Sequence, residues 1–266
     1  MRSQKIIVFD SGVGGLTIWQ HIRALAPDLE CHYLFDNALF PYGELPQPIL
    51  NQRVLSLLLK LLETVAADAI VIACNTASTS VLNDIRLHVD IPVIGVVPAI
   101  KPAAALSQTK HIALLATPAT VTRQYTDQLA ADFAPDCRIT RLGVSELVHL
   151  AEHYLLTGRL DEQTLAQLLK PISEQPDIDT VVLGCTHFPL VASPIASVLT
   201  SVRLVDSGYA VAQQVMRKLA RSADEPLFER VEGVYYATKT LPNEEDFNQA
   251  VATFGLKKGR VLNLPL

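Results

Sequence analysis

Two cysteines stand in matching settings. Cys74 ends the apolar run Ala69–Ala73 and opens Cys74-Asn75-Thr76-Ala77-Ser78. Cys185 follows Val181-Val182-Leu183-Gly184 and opens Cys185-Thr186-His187-Phe188-Pro189. Each lies where a buried strand runs out into small hydroxyl and amide residues. Two thiols so placed can face each other across a cleft, which suits removing a proton from one side of a carbon and returning it from the other. The α-proton of a zwitterionic amino acid is very weakly acidic, so its transfer needs a positioned base with an acid opposite, in a site closed to water. A free thiol, with a pKa of about 8.5, is only slightly ionised at neutral pH. His187, two residues beyond Cys185, could lower that value or shuttle the proton.

Other chemistry-bearing residues gather at strand ends. Asp10-Ser11-Gly12-Val13-Gly14-Gly15-Leu16 follows a strand and precedes a helical pattern. It is neither the GxGxxG dinucleotide fingerprint nor a P-loop, and its glycines read as a tight turn. Asp10 and Ser11 could hold an ammonium group or tune a nearby thiol. Pro41-Tyr42-Gly43 reads equally as a plain turn or as a loop whose amides and Tyr42 hydroxyl reach a ligand. Asn75, Thr76, Thr117 and Thr186 are neutral donors of the kind a carboxylate needs. They are also ordinary helix caps, and a capped helix start is where anions bind. Glu152, in Leu150-Ala151-Glu152-His153-Tyr154, reads from pattern alone as part of a solvated helix face.

These residues are positioned by alternating strands and helices. The apolar runs Ile6–Phe9, His32–Phe35, Ala69–Ala73, Val93–Val97, Ile112–Ala116, Ile139–Leu142, Thr180–Leu183 and Arg203–Val205 read as strands covered on both faces. Between them come helical patterns such as Asn51–Val65, where Leu55, Leu58, Leu59 and Leu62 predict one apolar face. The alternation predicts an α/β fold with parallel sheets. Two internal echoes suggest two similar doubly wound halves: Val71–Thr76 with Val182–Thr186, and Val8–Gly12 with Leu204–Gly208. The expected division is 1–97 plus 208–266 for a first domain, with Val234–Ala237 as a returning strand, and 98–207 for a second. Ligands of open α/β sheets bind beyond the carboxyl ends of strands, which would set one thiol on each domain, facing the cleft at their interface.

Composition fits that reading. The 266 residues are 49% hydrophobic and 18% charged, ample for a buried core, and the net charge of −5 leaves no nucleic-acid footprint. The longest apolar runs fall well short of the ~20 residues that span a bilayer, so no membrane association is expected. The N-terminus enters Ile6–Phe9 and Asp10 at once, which predicts no leader and a cytoplasmic protein. Cys31, Cys74, Cys137 and Cys185 form no CxxC motif, and Cys31 and Cys137 read as small buried hydrophobes. Cys185 and His187 could supply two zinc ligands, but further ligands at suitable spacing are missing. No metal site is expected, and no lysine motif for pyridoxal phosphate stands out.

At these residues the chain resembles the bacterial glutamate racemases. The resemblance spans nearly the whole length, through Phe9–Thr17, Pro41-Tyr42-Gly43, Ala73–Ser78, Gly184–His187 and Val205–Gly208 in order. It implies cofactor-independent interconversion of L- and D-glutamate, supplying D-glutamate for peptidoglycan. Cys74 would act on the D-enantiomer with help from Asp10, and Cys185 on the L-enantiomer with help from His187. It lifts Glu152 to a site residue near that histidine. It assigns Ser11, Pro41, Tyr42, Gly43, Asn75, Thr76 and Thr186 to holding substrate, and Thr117 and Thr120 to a threonine-containing loop. It also raises activation by a muramyl-peptide precursor and homodimers built on more than one face; the sequence selects among neither. Aspartate racemase is the nearest rival, but that family usually carries Glu where His187 stands. From a different class, a bilobed amino-acid-binding module would need the donors and not the paired thiols.

Overall fold

Apolar residues of both parities along a strand predict burial on both faces, and the computed structural model, which describes residues 4–221 and 229–262, has that arrangement in two parallel sheets. The chain divides into two compact units, Met1–Val96 with Gly208–Leu266, and Val97–Ser207.

The first unit runs β1 (Lys5–Asp10), α1 (Leu16–Leu25), β2 (Glu30–Phe35), α2 (Gln47–Leu62), β3 (Ala69–Ile72), α3 (Asn75–Arg86) and β4 (Val93–Gly95). The second contains α4 (Ile100–Leu106), β5 (His111–Ala116), α5 (Pro118–Val121), α6 (Gln124–Phe133), β6 (Arg138–Gly143), α7 (Glu146–Thr157), α8 (Glu162–Ser173), β7 (Thr180–Leu183), α9 (Ala192–Val198) and β8 (Arg203–Val205). The chain then returns to the first unit through α10 (Gly208–Lys218), β9 (Gly233–Ala237), α11 (Glu244–Ala252) and β10 (Leu256–Val261). The strand orders are β10-β9-β2-β1-β3-β4 and β6-β5-β7-β8, and every pairing is parallel.

Alternate side chains of a strand point to opposite faces. In the first sheet Ile7, Phe9, Leu34, Ile70 and Ile72 pack with α2 and α3 residues such as Leu50, Val54, Leu57, Val81 and Ile85. The opposite parity, Ile6, Val8, Tyr33 and Val71, is equally buried. In the second sheet Ile112, Leu114, Ala116 and Val182 pack on Ile100, Ala103 and Ala104 of α4, while Ala113, Leu115 and Val181 are buried on the other side. The central strands of both sheets are therefore covered on both faces, the arrangement that near-continuous apolar runs require; the edge strands β6 and β8, expected to be covered likewise, are half-buried to exposed.

Three further expectations change. The apolar face of α2 is Leu50, Val54, Leu57, Leu58 and Leu61. Leu59 is exposed, and Leu55 and Leu62 are only partly buried. A leucine-rich helix offers two overlapping stripes, and the buried one is the stripe that also carries Arg53 to a carboxylate partner. The strand β10 was not anticipated, because Lys257 and Lys258 on it are exposed and only Leu256 is buried; charged edge strands of this kind resist pairing with other chains. Finally, the strand orders equate β2-β1-β3-β4 with β6-β5-β7-β8. That supports the echo between the two cysteine segments, which follow β3 and β7. It removes the other: β8 corresponds to β4, so Leu204–Gly208 is no counterpart of Val8–Gly12, and Asp206 is exposed where Asp10 is fully buried.

One glycine of the Asp10–Leu16 stretch is there for close approach. A Cβ on Gly15 would lie 2.9 Å from Asp10 Cβ, 2.9 Å from the Tyr33 hydroxyl and 3.0 Å from Ala73 Cβ. The Tyr33 hydroxyl donates to the Gly12 carbonyl at 2.7 Å, so that neighbour has little freedom to yield. Gly15→Ala is expected to cost about 1–3 kcal/mol by overpacking and to displace Asp10. Thermal denaturation with activity measured in parallel checks it.

Candidate active site

The strand register places the two cysteines identically within their own sheets. Phe9 lies opposite Ile72 in the first, and Leu115 opposite Leu183 in the second. One residue further on, the Ala73 N–H donates to the Phe9 carbonyl at 2.8 Å, and the Gly184 N–H to the Leu115 carbonyl at 2.7 Å. The next residues are Cys74 and Cys185. By the same register Ser11 corresponds to Thr117, and Asn75-Thr76 to Thr186-His187. Small residues ahead of the thiols fit these crowded strand ends: a Cβ on Gly184 would come within 2.8 Å of Leu114 Cδ1 and 3.0 Å of Ala116 Cβ.

In the first unit Cys74 is the N-cap of α3, with extended backbone and no side-chain capping bond. Its carbonyl accepts the helix bond from the Ser78 N–H at 2.8 Å. The N-terminal end of a helix favours negative charge, here at a buried sulfur. The Ser11 hydroxyl lies 3.9 Å from Cys74 Sγ. Asp10, fully buried, accepts at Oδ1 from the Ser11 N–H at 2.5 Å, the Ser11 hydroxyl at 3.1 Å and the Gly12 N–H at 3.2 Å. The carboxylate therefore fixes the hydroxyl that borders the thiol. Asn75 and Thr76 fill the first turn of α3, both buried. The amide oxygen of Asn75 is buried without a hydrogen-bond partner, a costly arrangement that suits a position awaiting a ligand donor.

The Pro41-Tyr42-Gly43 loop has Pro41 capping a single 3₁₀ turn over Tyr42–Glu44. The Tyr42 ring packs against Phe9 at 6.1 Å between centroids. The sequence left this loop equally a turn or a ligand contact; in the structure the Tyr42 hydroxyl donates to Asp36 Oδ2 at 2.7 Å. Burial, with the Asp36 charge beside it, pushes the phenol well above its ordinary pKa, so Tyr42 stays protonated. Asp36 is a residue that sequence reasoning passed over. Arg53 donates to it from Nε at 2.9 Å and from a terminal nitrogen at 3.0 Å, and Thr238 from its hydroxyl at 2.5 Å. Burial alone would raise the Asp36 carboxyl. The hydrogen bonds from Arg53, Thr238 and Tyr42, with the Arg53 charge, outweigh it and hold the group below the usual carboxylate range. The available signal was Arg53 itself, an arginine within an apolar helix stripe that a carboxylate must answer.

In the second unit Cys185 Sγ lies 3.8 Å from His187 Nδ1, and His187 Nε2 lies 2.9 Å from Glu152 Oε1. Glu152 is carried by α7, and its side chain is 21% exposed while that of His187 is 2% exposed. The structure thus corrects the solvated-face reading of Glu152. A carboxylate accepts only, so Nε2 carries the proton directed at Glu152, and Nδ1 is the ring nitrogen that faces the thiol. Thr186 is buried beside the thiol in sequence. Thr117 caps α5, accepting from the Thr120 N–H at 3.4 Å, and its hydroxyl lies 3.0 Å from that of Thr120. Thr120 is anchored in turn by the Thr126 hydroxyl on its carbonyl at 2.6 Å.

Within their own units the two cysteine settings have the same strand register and differ in what lies beside the sulfur: a carboxylate-held hydroxyl that follows the neighbouring strand in one, a carboxylate-held imidazole from the same segment in the other. Cys31 is buried within β2, and burial raises its thiol well above the ordinary pKa; Cys137 lies just before β6. Among the described residues no group of three or more His, Cys, Asp or Glu side chains could hold a metal ion, and no helix is long and apolar enough to cross a membrane.

Comparison with known proteins agrees with this geometry. The family model for Asp/Glu/Hydantoin racemase matches residues 17–215. The chain is 51% identical over 224 residues to a glutamate racemase of Shewanella sp. (strain MR-7), covering 84% of this chain and 82% of that one. It is 44% identical over 263 residues to a glutamate racemase of Vibrio campbellii, covering 98% and 97%. Among solved structures, Escherichia coli glutamate racemase in complex with L-glutamate and the activator UDP-MurNAc-ala superposes with a TM-score of 0.93 at 39% identity, covering 100% of both chains.

Proposed function

From the premise that this chain belongs to the Asp/Glu/Hydantoin racemase family, we propose that it interconverts L- and D-glutamate without a cofactor, Cys74 and Cys185 working as a pair of acid/base thiols. One observation supports the mechanism: both sulfurs follow the same register position of their own sheets, with the Ser11 hydroxyl 3.9 Å from one and His187 Nδ1 3.8 Å from the other.

With L-glutamate, the Cys185 thiolate takes the α-proton. The electron pair of the broken C–H bond stays on Cα, and the Cys74 thiol gives its proton to the opposite face. The product is D-glutamate, with Cys185 protonated and Cys74 as thiolate, which is the form that runs the reverse reaction. His187, held by Glu152, moves the Cys185 proton, and Asp10 acts on the Cys74 side through Ser11. Asn75, Thr76, Thr186 and the loop of Pro41, Tyr42 and Gly43 hold the substrate's charged ends, with Thr117 and Thr120 as further contacts. The D-glutamate would feed peptidoglycan synthesis in the cytoplasm. Because the E. coli relative was solved with UDP-MurNAc-ala as activator, a muramyl-peptide precursor is the activator to test here.

Asp10→Asn and His187→Asn are expected to lower kcat about 10²-fold, the scale of general acid–base help, with a smaller change in KM. A loss confined to KM would assign them to uniform binding. The reading as a whole is tested by circular dichroism of L- and then D-glutamate with purified protein and no added cofactor. Decay of both signals to zero, blocked by a thiol-alkylating agent, is expected. A flat trace with glutamate, also in the presence of the muramyl precursor, together with intact glutamate binding, would favour the binding module.

A further inference from the structure

The Asp36 cluster joins four separate pieces of chain at the root of one loop. Asp36 directly follows β2, and its backbone N–H donates to the Asp10 carbonyl at 3.2 Å, so it is built on the end of the strand that carries the site. Its carboxylate accepts from Tyr42 of the loop, from both donors of the Arg53 fork on α2, and from Thr238 just past β9. Neighbouring bonds close the same clamp. Asn37 Oδ1 accepts from the Thr238 and Lys239 N–H groups at 3.0 and 2.9 Å, and the Ala38 N–H donates to the Thr238 hydroxyl at 3.1 Å. Arg53 is 7% exposed and Asp36 is fully buried.

We propose that Arg53 and Thr238 are positioning residues of this site, fixing the Pro41-Tyr42-Gly43 loop through the Asp36 carboxylate they share with Tyr42. The inference rests on the reading of that loop as a substrate contact. Its physical basis is that a carboxylate satisfied by four donors has one orientation, and a bidentate guanidinium sets its plane. The Tyr42 hydroxyl then has a fixed acceptor, and the loop backbone has a fixed place to present its amides. The segment beyond β9 is in this way part of the site, although its sequence carries none of the expected chemistry.

Thr238→Val keeps shape and leaves the ion pair intact; it removes the donor to Asp36 and, with it, the acceptor of the Ala38 N–H. Amide hydrogen exchange and glutamate kinetics are measured on wild type, Thr238→Val, Tyr42→Phe and the double variant. Loss of a hydrogen bond to a charged group corresponds to about a tenfold change. The expected result is about tenfold faster exchange reaching residues 39–45, beyond the Ala38 amide that loses its own acceptor, KM raised about tenfold with kcat within about threefold, and a double variant no worse than Tyr42→Phe alone. Exchange that rises evenly over the first unit, or a KM that does not move, would reduce the cluster to a stability element. Multiplying effects in the double variant would also overturn the proposal, since the two residues would then act separately. The exchange arm needs no turnover, so it decides this inference even where glutamate proves not to be the substrate. Asp36→Asn, at the centre of the cluster, is expected to reproduce the local exchange pattern.

Discussion

Cys74→Ala and Cys185→Ala are each expected to abolish racemisation of both enantiomers, by more than about 10³-fold, with the protein still folded. In the proposed mechanism deprotonation and reprotonation occur on opposite faces, so either missing sulfur stops the cycle whichever enantiomer is supplied. The cost to the fold is small because only one sulfur atom is removed from each buried position. Half of the chemistry survives. With a β-chloro analogue of glutamate, one thiolate takes the α-proton, the C–H pair forms the new double bond, and chloride leaves with the Cβ–Cl electrons. The dehydroamino acid released hydrolyses to a keto acid and ammonia. Cys185→Ala, keeping Cys74, is expected to process the D-analogue, and Cys74→Ala the L-analogue. Chloride release measured for each pair checks the assignment; full racemisation by either variant would sink it.

Arg53→Met is expected to cost about 3–5 kcal/mol at neutral pH, because it leaves the fully buried Asp36 charge without its ion-pair partner. In the wild type the carboxyl is held below the usual range, so its contribution to stability is present above the unfolded-state value of about 3.9. It is lost as the pH falls through the folded value. In the variant the Arg53 hydrogen bonds and charge are gone, and burial, opposed only by Thr238 and Tyr42, is expected to raise the folded value instead. Protonation then favours the fold, and the variant recovers as the medium is acidified. Urea denaturation at pH 7 and pH 5 should show the gap between the two proteins narrowing. A loss below about 1 kcal/mol at pH 7, or a gap that widens on acidification, would contradict the role assigned to the pair.

Much of the fold is legible in the chain because strands buried on two faces leave unbroken apolar runs, as Ile6–Phe9, Ile112–Ala116 and Thr180–Leu183 do. The thiols were readable for the same reason: each interrupts the end of such a run with small polar residues. What escaped was whatever depends on tertiary partners. The stripe of α2 that turns inward is selected by where Arg53 finds Asp36, which the leucine spacing does not encode. The strand β10 is hidden by Lys257 and Lys258, which answer solvent at a sheet edge. Glu152 looks like any helix-surface carboxylate until α7 places it against His187. The resemblance between Val8–Gly12 and Leu204–Gly208 is local likeness between non-equivalent strands, and only strand order exposes it.

The central claim, that two distinct groups handle the proton on the two faces of one carbon, is tested most directly by isotope exchange at initial rate. Wild-type protein is incubated with L-glutamate in heavy water, and the deuterium at Cα is measured separately in the D-glutamate formed and in the L-glutamate remaining, then again starting from D-glutamate. Two thiols predict a product fully deuterated at Cα while the remaining substrate keeps its protium. Product that retains the substrate's own hydrogen, or remaining substrate deuterated as fast as product appears, would mean that a single base serves both faces.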